Sequence, residues 1–295
     1  MDHQTFFDSH THTRHFSIDG QQTLDELVND ALEKGLAGIV VSEHYDKDMI
    51  NSEIQAGISP VGSLPQPEEW IFNIEAYFNL FLEKKMQLTK ARAPLQLLSG
   101  IELGYLPYLP SAYDELVRKH PFDCVIGSVH TLKYLDIYMA PQLFEVPKIQ
   151  VYEEYLETII EMITRQQELD IVGHYDFIVR KAPYEDNRML YRELADHFDT
   201  LFRLIIEKGK SFEINTRSRY KAIEDGKPDP GMIDPDIIRR YLELGGEMIT
   251  LSSDSHDYGH VANYFKESAA ELAYLGVRYL THFENRKPQF IKLDS

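Results

Sequence analysis

Thiols are almost absent from this chain: Cys124 is its one cysteine. No intrachain disulfide can form, which suits a reducing compartment and, by default, a cytoplasmic location. Positive charge is also scarce, with Lys+Arg 30 against Asp+Glu 48 and a formal charge of -18. Such a balance argues against long nucleic acids or an anionic membrane as partners, because both need a basic footprint. It leaves room for a small phosphorylated substrate, which needs only a local positive site. No apolar run approaches the roughly 20 residues that span a bilayer, and MDHQTFFDSHTHTRH has no basic stretch followed by an apolar one. There is no GxSxG elbow, no P-loop and no Gly-rich turn after the first strand candidate. Cys124 has no Cys-x5-Arg phosphate loop after it and lies inside an apolar run, so it reads as core.

What the chain does have is alternation. Short apolar runs at 5–10, 36–44, 95–103, 122–130, 170–177, 211–216 and 247–256 read as strands. Between them lie amphipathic stretches at helical spacing: 23–35, 152–167, 188–209 and 261–276. In the first, Thr23 and Glu26 form a capping box and Gly35 is the stop. Seven such units fit an α/β fold, a distorted (β/α)7 TIM-like barrel, across one domain of 295 residues. The pattern breaks at 45–67, where Gly57, Pro60, Gly62, Pro65 and Pro67 interrupt any helix, and a helical stretch follows from Trp70 to about 92. We read 45–94 as an insertion over the barrel mouth, packing against the outer wall being the other placement. A segment at 277–283 either completes the sheet or packs beneath it.

The histidines are not scattered. Of twelve, six fall at the C-terminal end of a strand candidate: His10, His12, His44, His130, His174 and His256. Glu102 and Asp254 occupy equivalent places. Barrel enzymes build their sites on that one face, so these separate stretches converge. The two-residue period of a strand puts both imidazoles of His-x-His on one side, and likewise Asp254 and His256. Imidazole and carboxylate without thiolate suit Zn, Mn or Fe, and this many ligands calls for two or three divalent ions. Glu43, on the other face from His44, is expected to orient a neighbour. Arg217, Arg219 and Lys221 follow one strand end and Arg180 another, where arginine suits bidentate phosphate contact.

The ordered set HTHTRHFSIDG, SEH, GIEL, GSVH, GHYDF, EINT and SDSH resembles the polymerase-and-histidinol-phosphatase (PHP) family, and most of all its histidinol-phosphatase branch. The resemblance covers nearly the whole chain. It implies a distorted (β/α)7 barrel with three ions. The first would be held by His10, His12, Glu102 and Asp254, and the second by Glu102, His130 and His174, with Glu102 as bridge. The third would take Asp19, His44 and His256. The usual offset from His-x-His falls on Ile18, with Asp19 one residue later, so His15 stands as the alternative to Asp19. Glu102, His130 and Asp254 would carry the reaction. The resemblance also points to Arg217 or Arg219 as a phosphate contact, and to hydrolysis of L-histidinol phosphate in histidine biosynthesis.

Three other readings compete. An amidohydrolase-type barrel shares His-x-His, but often has a bridging lysine where this chain has His130, and would leave Glu102 and His256 surplus. A family nuclease or nucleotide phosphatase is disfavoured by the acidic charge. An inert metal-binding protein is disfavoured because no ligand position is degraded.

Overall fold

The computed structural model describes residues 6–49, 70–227, 229–231 and 234–293. Seven parallel strands run in sequence order: β1 (Phe7–Thr11), β2 (Gly38–Tyr45), β3 (Gln96–Gly104), β4 (Cys124–Ser128), β7 (Ile171–Val172), β8 (Ser211–Asn215) and β9 (Ile249–Ser252). The sheet curls until its first and last strands meet. Thr11 bridges Ser255 in parallel, and the Ser255 carbonyl accepts from His12 N at 2.8 Å. The Asp8 carboxylate accepts from the backbone and hydroxyl of Ser253, tying the same seam. The result is a nearly closed barrel.

Alternation along each strand explains the two cores. Outward side chains such as Ile39, Val41, Leu97 and Ile101 join the large cluster beneath the helices. Inward ones at the lower end, Val40, Leu98, Ile126 and Ile171, form a small inner cluster with Cys124 and Phe283. Strands buried on both faces therefore read as nearly continuous apolar runs. Further along the same inward rows the residues become His44, Glu102 and Ser128, so the floor is apolar and the mouth polar.

Helices complete the outer layer: α1 (Leu24–Glu33), α2 (Ile74–Ala91), α3 (Pro110–Lys119), α4 (Lys148–Arg165), α5 (Ala195–Glu207), α6 (Arg217–Glu224), α7 (Pro235–Glu243) and α8 (Phe265–Tyr274). The Thr23–Glu26 capping box is present at α1. The helix expected from 188 begins only at Ala195, because its first residues are drawn elsewhere: Asp234 accepts from Tyr191 N at 2.9 Å, and Arg188 pairs with Asp186. α2 lies on the outer wall, where the Tyr77 hydroxyl donates to Val41 O (2.8 Å) and accepts from Gly100 N (3.0 Å). Residues 50–69, on which an insertion over the mouth rests, fall outside the described residues.

The segment near 277–283 does not add to the barrel sheet. It forms an antiparallel hairpin, β10 (Tyr279–Glu284) with β11 (Lys287–Lys292), that closes the lower end. Phe283 enters the inner cluster and His282 stacks on Phe7 at 3.7 Å. A second hairpin, β5 (Thr131–Leu132) with β6 (Leu135–Asp136), follows β4 at the mouth. No helix among the described residues is long and apolar enough to cross a membrane.

Candidate metal centre

The six strand-end histidines converge. Glu102, on β3, lies at their centre and is fully buried. Its Oε2 faces His44 Nδ1 (2.7 Å), His10 Nε2 (3.2 Å) and His12 Nε2 (3.5 Å). Its Oε1 faces His174 Nε2 (2.9 Å) and His130 Nε2 (3.2 Å), and accepts from the Ser128 hydroxyl at 2.6 Å. One carboxylate thus presents an oxygen to each of two imidazole groups, as a bridging ligand does. Asp254 joins the first group, 3.4 Å from His12 and 3.9 Å from His10. It holds a left-handed backbone (φ 51°), a conformation that concentrates at functional sites.

The third expected group also comes together. Asp19 lies 3.0 Å from His256 and 3.4 Å from His44, whose Nε2 atoms are 3.2 Å apart. The extra residue in HTRHFSID is absorbed by the loop. His15 is exposed and its backbone N turns back to Thr13 Oγ1, so it stays outside the group.

This geometry fits metal ions. Donors bound to one ion at about 2.0–2.2 Å lie within about 4.4 Å of each other. Glu102 Oε1, His130 Nε2 and His174 Nε2 lie within 3.4 Å of one another, and the sets His10–His12–Glu102 and His12–His44–His256 each place three donor atoms within 4.8 Å, close to that limit. Despite these separations, His10 Nε2, His12 Nε2 and Glu102 Oε2 are buried and make no well-aligned hydrogen bond among the described residues, which is costly unless something else engages them. Electrostatics agree. Burial alone would raise the Glu102 carboxyl, but His10, His44 and His130 hold it well below the usual range. Burial together with His44 and His256 keeps His12 neutral, the form that ligates. His44 outweighs its own burial through Glu102 and Asp19 and is pushed up to about 9.

Behind the candidate ligands stands a layer of which the sequence singled out only Glu43. Glu213, on β8, lies 2.8 Å from His10 Nδ1 and accepts from His174 N. Asp46 lies 2.7 Å from His130 Nδ1. A Cβ at Gly104 would fall 1.7 Å from Asp46 Oδ1, so that glycine makes room for the carboxylate. The available signal was parity: Asp46 is two residues past His44, and Glu213 two before Asn215, on inward rows. Glu43 accepts from Thr13 N (3.0 Å), Thr13 Oγ1 (2.5 Å) and Ser17 Oγ (2.6 Å), while Ser17 Oγ sits 3.2 Å from His12 Nδ1. It braces the loop that carries Asp19. Carboxylates behind ligating imidazoles typically contribute 10–100-fold in affinity or activity. Glu213→Gln should therefore lower metal affinity or kcat by about 10–100-fold; measured metal binding and kcat both unchanged would remove Glu213 from this role.

The arginines divide. Arg180 Nη1 pairs with Asp254 Oδ2 at 2.9 Å, and Arg217 Nη1 reaches Asp254 and His256; both line a cavity of ≈ 210 Å³ above the cluster. Arg219 does not join them. Its guanidinium pairs with Asp229 (2.7 Å) and Glu271 (3.0 Å). The reason is local: the segment after EINT is the helix α6, and residues two apart on a helix point to different sides.

The PHP domain family matches residues 8–217. This chain belongs to the PHP family. Among its named relatives, a probable histidinol-phosphatase of Clostridium acetobutylicum is 31% identical over 264 residues, covering 89% of this chain and 91% of that protein. A histidinol-phosphatase of Lactococcus lactis is 26% identical over 250 residues, covering 84% and 83%. Among solved structures, the Lactococcus lactis histidinol phosphate phosphatase, determined with zinc, L-histidinol and phosphate, overlays with a TM-score of 0.80. It is 24% identical and covers 97% of this chain and 99% of that one. That likeness speaks to the fold: this PHP chain and that enzyme share the barrel.

Proposed function

We infer that this PHP chain is a histidinol-phosphatase, a metal-dependent enzyme that hydrolyses L-histidinol phosphate to L-histidinol and phosphate in histidine biosynthesis. The observation that carries the chemistry is the position of Glu102, one oxygen toward each of two imidazole groups. The relatives, which bear the histidinol-phosphatase name across most of both chains, carry the substrate.

Phosphate monoesters hydrolyse so slowly that catalysis must supply over about 20 kcal/mol of barrier reduction. Divalent ions, when bound, supply Lewis acidity toward phosphoryl oxygens and lower the pKa of water to near 7. The protein's part is placement. His10, His12, Glu102 and Asp254 would hold one ion, Glu102, His130 and His174 a second, and Asp19, His44 and His256 a third. Arg180 and Arg217, on the cavity wall beside Asp254, are the residues we assign to the phosphoryl oxygens. A buried wall also keeps competing water from the reacting centre.

The rest of the cavity suits a cationic, ring-bearing alcohol. Trp70, Tyr138 and Phe177 supply flat apolar surface. Of four carboxylates lining the cavity, Asp19, Asp46 and Asp254 face imidazoles or arginines. Asp136 has neither within ion-pair distance among the described residues; it accepts from Tyr138 N at 2.7 Å and is 7% exposed. We assign it to the substrate ammonium. Asp136→Asn should raise KM for L-histidinol phosphate about tenfold or more, the size of a lost charged hydrogen bond, and leave an aryl phosphate that lacks an ammonium group unaffected. Equal loss on both substrates would remove the assignment. The function itself is tested by kinetics on L-histidinol phosphate beside generic phosphoesters, with metal content measured on the same sample. No preference for histidinol phosphate would overturn the substrate, and no phosphatase activity with Zn, Mn or Fe would overturn the reaction.

A further inference from the structure

Arg180 is held on three sides. Its Nε donates to Ser218 Oγ (3.1 Å), its Nη1 to Asp254 Oδ2 (2.9 Å) and its Nη2 to Asn215 Oδ1 (3.2 Å). The guanidinium carbon lies over the Phe177 ring, 5.1 Å from its centroid. A guanidinium carries five N–H donors in a fixed fork. Described residues engage three of them, which leaves two on the terminal nitrogens of a side chain that lines the cavity above the metal centre. Such a fork binds best when its orientation is set beforehand, because freedom lost on binding counts against affinity.

Of the three anchors, Asp254 is a candidate metal ligand and its place answers to the ions. Asn215 and Ser218 are free of that demand, and among the described residues neither lines the cavity. Asn215 ends β8 and is 4% exposed. Its Oδ1 accepts from Arg180 and also from the backbone N of Arg217 (2.9 Å), the first residue of α6. Its Nδ2 donates to Glu213 Oε2 at 3.4 Å, two residues back on the same face of the strand. One amide thus ties the Arg180 fork and the start of the Arg217 helix to the carboxylate behind His10 and His174. Asparagine suits the place because it accepts and donates at once. Aspartate would set a second carboxylate against Glu213, and leucine would leave two N–H groups unpaired. Ser218 also hydrogen-bonds the Asp176 carboxylate, whose charge faces Arg180.

We propose that Asn215, supported by Ser218, is a positioning residue that aims the Arg180 fork at the phosphoryl oxygens without touching the substrate. The inference rests on the assignment of Arg180 to those oxygens under the proposed function.

The test is calorimetric titration of the metal-loaded protein with inorganic phosphate and, separately, with L-histidinol. Asn215→Ala should weaken phosphate binding about tenfold, the scale of one charge-assisted hydrogen bond. Metal content and L-histidinol affinity should stay at the parent's values. In an Arg180→Ala background the same substitution should change phosphate affinity less than about twofold, because the group it positions is gone. Ser218→Ala, which leaves β8 and Glu213 intact, should show the same pattern at smaller size, and it decides the matter if Asn215→Ala does not fold. The proposal falls if both single variants bind phosphate as the parent does. It falls equally if the loss is as large without Arg180 as with it, if L-histidinol weakens in step with phosphate, or if Asn215→Ala loses an ion. A parent that binds no phosphate would overturn the role of Arg180 together with this one. A parent that binds phosphate but not L-histidinol would overturn the substrate alone, and the phosphate cycle would still judge Asn215.

Discussion

Glu102→Ala should retain less than about a thousandth of the parent kcat on L-histidinol phosphate. Ion-mediated charge stabilisation is worth several kcal/mol, and each 1.36 kcal/mol is a factor of ten. The effect is expected to exceed that of any other single ligand, because Glu102 faces five imidazoles at once: His10, His12 and His44 from one oxygen, His130 and His174 from the other. Metal analysis on the same sample should show more than one ion lost per chain. A variant with full metal content and kcat within tenfold of the parent would mean that Glu102 does not bridge. Loss of a single ion would assign it to one group only.

Chelation should abolish turnover reversibly and lower Tm by roughly 10 °C. An ion at a thousandfold excess over its Kd stabilises by about 4 kcal/mol, and 1 kcal/mol moves Tm by about 2–4 °C in domains of this size. The gap should widen with pH. In the ion-free pocket the His44 imidazolium is stabilised by Glu102 and Asp19, so its folded-state value, about 9, lies above the ordinary 6.5. That contribution is complete below pH 6.5 and disappears as pH rises through 9. His10 and His130 are raised in the same direction, against burial, by Glu102 with Glu213 and by Asp46 with Glu102. Bound ions displace those protons, so the loaded protein lacks this loss and its affinity rises with pH. Parallel Tm curves for loaded and chelated protein from pH 6.5 to 9 would contradict this account.

The barrel and its candidate ligands were legible because both follow from period-two alternation. An apolar row that turns to histidine or carboxylate at one end, repeated from His10 to His256, defines a mouth before any contact is known. Asp19 was legible only through likeness to the PHP family, since its place depends on a loop that absorbs one residue. The braces behind the ligands, Glu213 and Asp46, were not, because parity places them on the inward rows without saying which imidazole they meet. Arg219 was placed beside Arg217 because both follow the same strand end. That stretch is the helix α6, where a two-residue step carries the second guanidinium away, to Asp229 and Glu271. The short helices α3 and α7 also went unread. The C-terminal hairpin was left open between two placements, because an apolar run says that a strand is covered and not by what.

The seam of the barrel has a consequence for the order of synthesis. Asp8 and Ser253, which tie it, are 245 residues apart, and the ligands flanking them, His10 and His12 on one side and Asp254 and His256 on the other, meet only across that seam. A nascent chain on the ribosome can build β2 to β8 and their helices, yet it holds only fragments of the ligand set until β9 emerges. Glu102, His130 and His174 precede β9, but the groups that need Asp254 or His256 do not close before it, so the full three-group centre is a late event that reports on a finished molecule.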